Sequence, residues 1–311
     1  MEKMNKKSKV YVAGHKGLVG SSIVRLLEKK GFENIVTRTR KELDLTNQKD
    51  VLEFFMKEKP EFVFLSAAKV GGIMANKTYP ADFIRDNLSI ELNVIESARL
   101  SNVKKLLFLG SSCVYPGRAE QPMKEECFLT GKPEETNKAY SIAKIAGIEL
   151  CQAYKKQYGL NFISVMPTNI YGVGDNFDLE SSHVIPAFIK KFDNAKNSKD
   201  PSVTMWGTGS AYREFLYVDD LADACMFVME NYDDLEILNI GTGEDITIKN
   251  LAELIKRVAG YEGDIVWDTT KPDGAPRKLL DVSKLSKLGW KHKTSLDKGV
   301  ELTYKWYKKN L

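Results

Sequence analysis

Short runs of β-branched and aromatic residues alternate with helical patterns through the first half of the chain, and then the rhythm breaks. Apolar runs at 9–13, 34–39, 62–68, 104–110 and 162–167 predict strands. Between them, 19–30, 49–58, 80–101 and 138–158 carry apolar residues at spacings of three and four, as in Phe83, Leu88, Leu92 and Ile95, and predict helices. Such alternation implies a parallel sheet with crossover helices. Leu106 to Leu109 is apolar without a break, as a strand covered on both faces requires. Beyond about Tyr171 comes a Gly/Asp/Asn/Ser-rich loop, 172–182, and then shorter segments. Here 203–206, 215–218, 236–240 and 265–268 predict strands, and 219–230, 248–259 and 295–309 predict helices. The Asp219–Asp220 pair is placed to cap the first of these helices. The expected architecture is α/β: a Rossmann-type doubly wound parallel sheet over 1–172, with a smaller α+β lobe, mainly 173–311. Segments around 213–232 are expected to return to the first domain, and the cleft between the two is the expected site.

Composition narrows the class. A length of 311 residues allows two lobes and a substantial core, and 43% hydrophobic with 28% charged residues is that of an ordinary soluble protein. The net charge of +4 is spread along the chain and forms no block of the kind that marks nucleic-acid binding. Cys113, Cys127, Cys151 and Cys225 have no C-x-x-C spacing and no clustering with histidines. This argues against a metal site or disulfide framework and for a reducing compartment. The lead from Met1 to Lys9 is lysine-rich, but the apolar run after it is too short for a signal peptide, and no stretch has the length of a membrane span. The expected location is cytoplasmic.

Directly between the first strand and the first helix lies Gly14-His15-Lys16-Gly17-Leu18-Val19-Gly20. Glycines at this spacing allow a tight turn and bring backbone N–H groups against a pyrophosphate at the helix N-terminus. The spacing alone is common, but its place after an apolar strand and before an amphipathic helix marks a dinucleotide site. A carboxylate ending the second strand would hold the ribose 2′-hydroxyl of NAD. This chain instead has Thr37-Arg38-Thr39-Arg40, with no acid before Glu42. Arg38 suits a 2′-phosphate and Lys16 adds a second cation, so NADPH/NADP+ is favoured. The competing reading leaves Arg38 and Arg40 as solvated residues after a strand.

Tyr140 and Lys144 stand four residues apart on one helix face, near the helix start, where the positive end of the dipole favours an anion. Gly110-Ser111-Ser112-Cys113 ends the fourth strand. A free tyrosine titrates near about 10, and a nearby cation lowers that value. Lys144 is therefore expected to lower that of Tyr140, as is the nicotinamide ring when oxidised. Tyr140 would protonate the alkoxide formed by hydride transfer, and Ser111 would donate to the same oxygen.

Through the glycine loop, Ser111 and the Tyr140/Lys144 pair, the chain resembles the extended short-chain dehydrogenase/reductase superfamily. Within it, the chain is similar to the GDP-4-keto-6-deoxy-D-mannose 3,5-epimerase/4-reductase family. The segments that carry this are 67–73, 110–116, 165–172, 182–186, 206–207, 213–215, 218–220 and 271–274, spread over almost the whole chain. Lys69-Val70-Gly71-Gly72-Ile73 and Ser182-His183-Val184-Ile185-Pro186 are the most specific. The resemblance implies epimerisation of the keto sugar at C3 and C5, then NADPH-dependent reduction at C4 to GDP-L-fucose. It also implies Cys113 as base and His183 as opposing acid, both able to titrate near neutrality. Lys144, Pro167, Asn169 and His183 are implied as further cofactor contacts. Asn169, Lys191, Trp206, Arg213, Asp273 and Lys278 are implied as holding the GDP-sugar. Other readings stay open: Cys113 as a small buried filler, His183 as a cap for a helix starting near Val184, and Trp206 as lobe core.

Related 4,6-dehydratases carry Thr-Asp-Glu where this chain has Ser111-Ser112-Cys113, so dehydration is not expected. Lys191 departs from an arginine common in the family, and Gly172-Val173-Gly174-Asp175 departs from a Pro-His before the Asp. The resemblance implies a homodimer formed by helices 80–101 and 138–158, with neither nucleic acid nor membrane as partner. The alternatives are another nucleotide-sugar epimerase or reductase and, more remotely, a non-catalytic NADP-sensing protein.

Overall fold

The computed structural model describes residues 3–271 and 273–311. Met1 and Glu2 in the lysine-rich lead, and Pro272 in segment 271–274, lie outside the described residues. The chain runs β1 (Lys9–Ala13), α1 (Leu18–Lys29), β2 (Asn34–Val36), α2 (Gln48–Glu58), β3 (Phe62–Leu65), α3 (Ile73–Thr78), α4 (Pro80–Leu100), β4 (Lys105–Leu109), α5 (Lys138–Tyr158), β5 (Phe162–Pro167) and β6 (Asn169–Tyr171). It continues with α6 (Val184–Ser198), β7 (Ser202–Trp206), β8 (Tyr212–Tyr217), α7 (Val218–Asn231), β9 (Leu238–Ile240), β10 (Asp245–Thr247), α8 (Ile248–Ala259), β11 (Asp264–Asp268), β12 (Arg277–Lys278), α9 (Ser283–Lys287) and α10 (Leu296–Asn310).

Six parallel strands form the main sheet in the order β2-β1-β3-β4-β5-β9. The order reverses between β1 and β3, and in such sheets ligands bind outside the carboxyl ends of the strands at the reversal. Successive residues of each central strand feed opposite cores. Phe62 and Phe64 join Val10, Val12, Leu107 and Leu109 against α1 and α7. Val63 and Leu65 join Tyr11, Leu106 and Phe108 against α2, α4 and α5. This double cover is why β3 and β4 are apolar at nearly every position. Leu216 at the end of β8, all of α7 and then β9 pack with the first of these cores. A third core, built on Phe188, Phe192, Met205, Phe215, Leu251, Ile255 and Val300, lies among α6, α8, α10 and the small sheets. In those sheets β8 is paired by β6, β10 and β12, while β7 pairs with β11.

Strands 9–13 and 162–167 and helices 138–158 and 248–259 coincide with their predicted limits. The strands predicted at 34–39 and 62–68 stop early, because pairing with β1 ends at Val36 and Leu65. The Asp219–Asp220 pair does not cap its helix: Tyr217 is the N-cap residue and both aspartates sit in the first turn. There they tie other segments together. Asp219 accepts from Ser22 and Arg25, and Asp220 accepts from the backbone N–H groups of Lys293 and Thr294. Periodicity missed α3, β6, β10, β12 and α9, which are too short to show a period, and marked only the start of α6. Among the described residues no helix is long and apolar enough to cross a membrane.

Candidate active site

The turn after β1 is folded back under α1. Gly14 has φ +87°, and a Cβ there would lie 2.7 Å from backbone atoms of Ala67. At Gly20 a Cβ would overlap the Gly14 carbonyl, so helix and turn meet backbone to backbone. The Gly17 N–H donates to the Gly14 carbonyl at 2.9 Å. Gly17 is the N-cap residue of α1 and offers no side-chain cap, so the N–H groups of Leu18, Val19 and Gly20 have no intrahelical partner. A Cβ at Gly17 would meet only the Gly14 carbonyl, at 3.4 Å, so the concave side of the turn is open. An open cradle of N–H groups at a helix start fits a dinucleotide pyrophosphate. Lys16 belongs to the same turn, and beside it the buried Nδ1 of His15 has no partner.

Arg38 follows β2, half-buried. Its guanidinium lies 2.7 Å from Glu58 Oε1, donates to its own neighbour's carbonyl at Thr37, and sits 5.3 Å over the Phe54 ring. It is therefore a packed, partnered cation and not a solvated one. Arg40, exposed and 3.6 Å from Asp44, fits the solvated description.

At the carboxyl end of β4 a single 3-10 turn, Ser112–Val114, presents Ser111 and Cys113 toward the start of α5. The Cys113 N–H donates to Ser111 Oγ at 3.2 Å, and Ser141 Oγ donates to the Cys113 carbonyl at 2.9 Å. Asn137 Nδ2 donates to Cys113 Sγ at 3.1 Å. The Tyr140 phenol lies near the Ser111 hydroxyl, which pulls its pKa down against the effect of burial. Thus Ser111 and Cys113 are joined by a hydrogen bond, and Tyr140, forecast from a separate part of the sequence, lies close to both. Cys113 is partly exposed in this group and is no buried filler.

The lysine departs from expectation. Lys144 Nζ is buried, donates to the Leu109 carbonyl at 2.9 Å, lies 3.2 Å from the buried carboxylate of Glu91 on α4, and stacks 4.6 Å over Phe108. It stands 5.9 Å from the centre of the Tyr140 ring. Burial pushes the Tyr140 phenol above its ordinary value, and the charges at Cys113 and Glu91 push the same way. The expected lowering of Tyr140 by Lys144 is corrected accordingly, because the ammonium is committed to Glu91 and to a carbonyl. A phenol in this state is a proton donor at neutral pH.

Burial also pushes the Glu91 carboxyl up to about 7 from 4.5, with the Lys144 ammonium pulling it down. The folded protein thus holds this proton more tightly than the unfolded chain does. The associated stability is full below about 4.5 and is lost as pH rises through about 7. Glu91→Gln should remove a fall of about 3 kcal/mol across that window, read from urea unfolding at a series of pH values.

His183 occupies the N-cap position of α6, yet its side chain makes no cap bond, so capping does not explain it. His183 is an exposed residue, and desolvation by the surrounding protein lowers its pKa. The expected titration near neutrality is therefore shifted downward. Preceding it, the Ser182 carbonyl lies by Gly72, in the Lys69–Ile73 segment. Pro167 ends β5 beside Ile240, and Asn169 opens β6, its Nδ2 donating to the Glu214 carbonyl at 2.8 Å.

The remaining forecast residues gather around β7, β8 and β12. Lys191 on α6 donates to the Thr204 carbonyl at 3.0 Å, and burial lowers its pKa. Trp206 is 58% exposed with Lys271 Nζ 5.8 Å from its ring, so it is not lobe core. Asp273 accepts from the Thr208 N–H and hydroxyl, and together with Glu134 it supplies the negative charge near Arg213. Lys278 pairs with Glu134 Oε2 at 3.3 Å. Glu134 is only three residues before Asn137, so one loop joins this charged cluster to the Cys113 group. Glu91, Glu134, Asn137 and Ser141 were all missed in sequence reading. The only available signal was that Asn137 and Ser141 flank Tyr140 on the helix already singled out. All four cysteines are free, and no group of three or more metal-ligating side chains occurs among the described residues.

Residues 10–241 match the NAD dependent epimerase/dehydratase family. The chain is similar to GDP-L-fucose synthase 1 of Arabidopsis thaliana, at 59% identity over 99% of this chain and 95% of that one. It also resembles, in solved structures, a GDP-6-OMe-4-keto-L-xylo-heptose reductase from C. jejuni, with TM-score 0.95 and 41% identity over 100% of both chains. A GDP-L-fucose synthetase from Naegleria fowleri bound to NADP has TM-score 0.93 and 29% identity over 99% of this chain and 95% of that one.

Proposed function

Since the chain belongs to the NAD dependent epimerase/dehydratase family, within the extended short-chain dehydrogenases/reductases, we propose that it converts GDP-4-keto-6-deoxy-D-mannose to GDP-L-fucose. The observation that carries this reading is the Cys113 thiol set beside Ser111 and close to the Tyr140 phenol. A carbonyl reductase needs only the serine and tyrosine, and a thiol beside them suits the removal of protons from carbon α to that carbonyl. The cofactor is a nicotinamide dinucleotide, and NADPH is the form we infer. Arg38, Lys16 and the NADP in the Naegleria fowleri relative support it.

When bound, the nicotinamide supplies the hydride that C4 receives. The N–H groups of Leu18, Val19 and Gly20 would hold the pyrophosphate, and Lys16 and Arg38 the 2′-phosphate. At the sugar, Cys113 takes the proton from C3 or C5, and the bonding electrons pass to the C4 oxygen as an enolate. Ser111 and Tyr140 donate hydrogen bonds to that oxygen, and His183 returns a proton to the opposite face. Tyr140 then protonates the same oxygen after reduction. Lys191, Trp206, Arg213, Asp273 and Lys278 form the charged and aromatic wall for the nucleotide diphosphate.

The test follows NADPH oxidation with GDP-4-keto-6-deoxy-mannose and identifies the product sugar. GDP-L-fucose is the expected product. A C4-reduced sugar with C3 and C5 unchanged would favour a plain reductase, the reading suggested by the likeness to the C. jejuni heptose reductase. We also infer a homodimer through α4 and α5, which pack together and expose Leu88 and Leu92 on one helix and Ile142 on the other. Light scattering on the same preparation should then give twice 35.1 kDa.

A further inference from the structure

Asn137 is the N-cap residue of α5, a position where asparagine normally accepts a hydrogen bond from the first turn of the helix, yet its side chain makes no such bond. Its amide is used elsewhere. Nδ2 donates to Cys113 Sγ at 3.1 Å, and Oδ1 lies 3.2 Å from Ser141 Oγ. Ser141 is buried and also donates to the Cys113 carbonyl at 2.9 Å, so its single proton is shared between the two acceptors. The Cys113 N–H is held by Ser111. The thiol residue is thus gripped at its N–H, its carbonyl and its sulfur, and only the grip on the sulfur bears on charge. An N–H pointed at sulfur is a stronger partner for a thiolate than for a thiol, since hydrogen bonds to ionised acceptors are about twice as strong.

We propose that Asn137, its amide orientation fixed by Ser141, is the positioning residue that holds Cys113 Sγ toward the sugar and favours its thiolate form. This rests on the reading of Cys113 as the epimerisation base. In that step the C–H bond breaks, an S–H bond forms, and the electron pair moves onto the keto oxygen. The Asn137 N–H is most strongly engaged before transfer and relaxes as the sulfur becomes neutral.

The experiment compares wild type, Asn137→Asp, Asn137→Ala and Ser141→Ala. Asn137→Asp keeps an oxygen for Ser141 and replaces the N–H donor at sulfur with a second carboxylate oxygen. The first readout is the pH profile of iodoacetamide alkylation at Cys113, resolved by peptide mass spectrometry from Cys127. The second is deuterium uptake from solvent at C3 and C5 of the keto sugar, beside NADPH binding as a check on folding. Asn137→Asp and Asn137→Ala should move the rise in alkylation to higher pH, with about tenfold lower reactivity at pH 7 and a matching fall in deuterium uptake. Ser141→Ala should move both the same way by less. NADPH binding should hold in all three. Alkylation profiles that superimpose on wild type in both Asn137 variants would overturn the proposal, as would a loss of uptake without any shift in alkylation. Should wild type itself take up no deuterium, the epimerase reading fails, while the alkylation profiles still decide whether Asn137 governs the thiol.

Discussion

Tyr140→Phe should lower NADPH-dependent reduction of the keto sugar by roughly 10²–10⁴-fold while α-proton exchange continues, because only the final step needs a proton from the phenol. Burial and the nearby charges at Cys113 and Glu91 hold this phenol above its ordinary value, so it remains protonated through neutral pH. The alkoxide produced at C4 is a strong base, and the phenol stands protonated as its donor. Ser111 remains in the variant and still stabilises the enolate, so exchange at C3 and C5 retains its main support. NADPH oxidation at 340 nm and solvent-deuterium uptake, measured on one preparation, separate the two activities. Equal loss of both would mean that Tyr140 also serves the epimerisation and that the division of labour proposed here is wrong.

The parts of this protein that were legible in sequence are those whose physics is local. An unbroken apolar run such as Leu106–Leu109 specifies a strand covered on both sides, and that strand's end fixes where Ser111 and Cys113 emerge. A glycine turn between an apolar strand and an amphipathic helix specifies a cradle, and Gly14 and Gly20 prove to be positions where any Cβ meets backbone. Tyr140 and Lys144 share a helix face by spacing alone. Their electrostatics were not legible, because the group that controls Lys144 is Glu91, one helix away on the buried side of α4. Nothing in the periodicity of α4 separates a carboxylate turned inward from one in solvent. Helix spacing alone therefore pairs Lys144 with the tyrosine and gives the wrong direction for the phenol's shift. Asn137 shows the same limit. A helix cap is what an asparagine at that position ordinarily provides, and only the fold brings the 3-10 turn carrying Cys113 close enough to take its amide instead.

That amide also sharpens what Cys113→Ala should do. The substitution deletes one small, partly exposed side chain whose carbonyl and N–H contacts belong to the backbone, so Ser111 and Ser141 keep their partners and the turn should stay in place. The cradle at Gly14–Gly20 and Arg38 lies on other segments, so NADPH affinity should match wild type. What disappears is the acceptor for the α-proton. Cys151 and Cys225 offer no substitute, since both are buried and each is pushed up to about 12. Deuterium uptake at C3 and C5 should therefore fall by roughly 10²–10⁴-fold. Reduction of the natural keto sugar should fall with it if epimerisation must come first. A keto sugar already inverted at both carbons should still be reduced, because Tyr140 and Ser111 are untouched. Proton exchange at the wild-type rate in this variant would mean that the base is another group. The contact between Asn137 and the thiol would then be structural, and the protein would be a reductase whose cysteine merely lines the site.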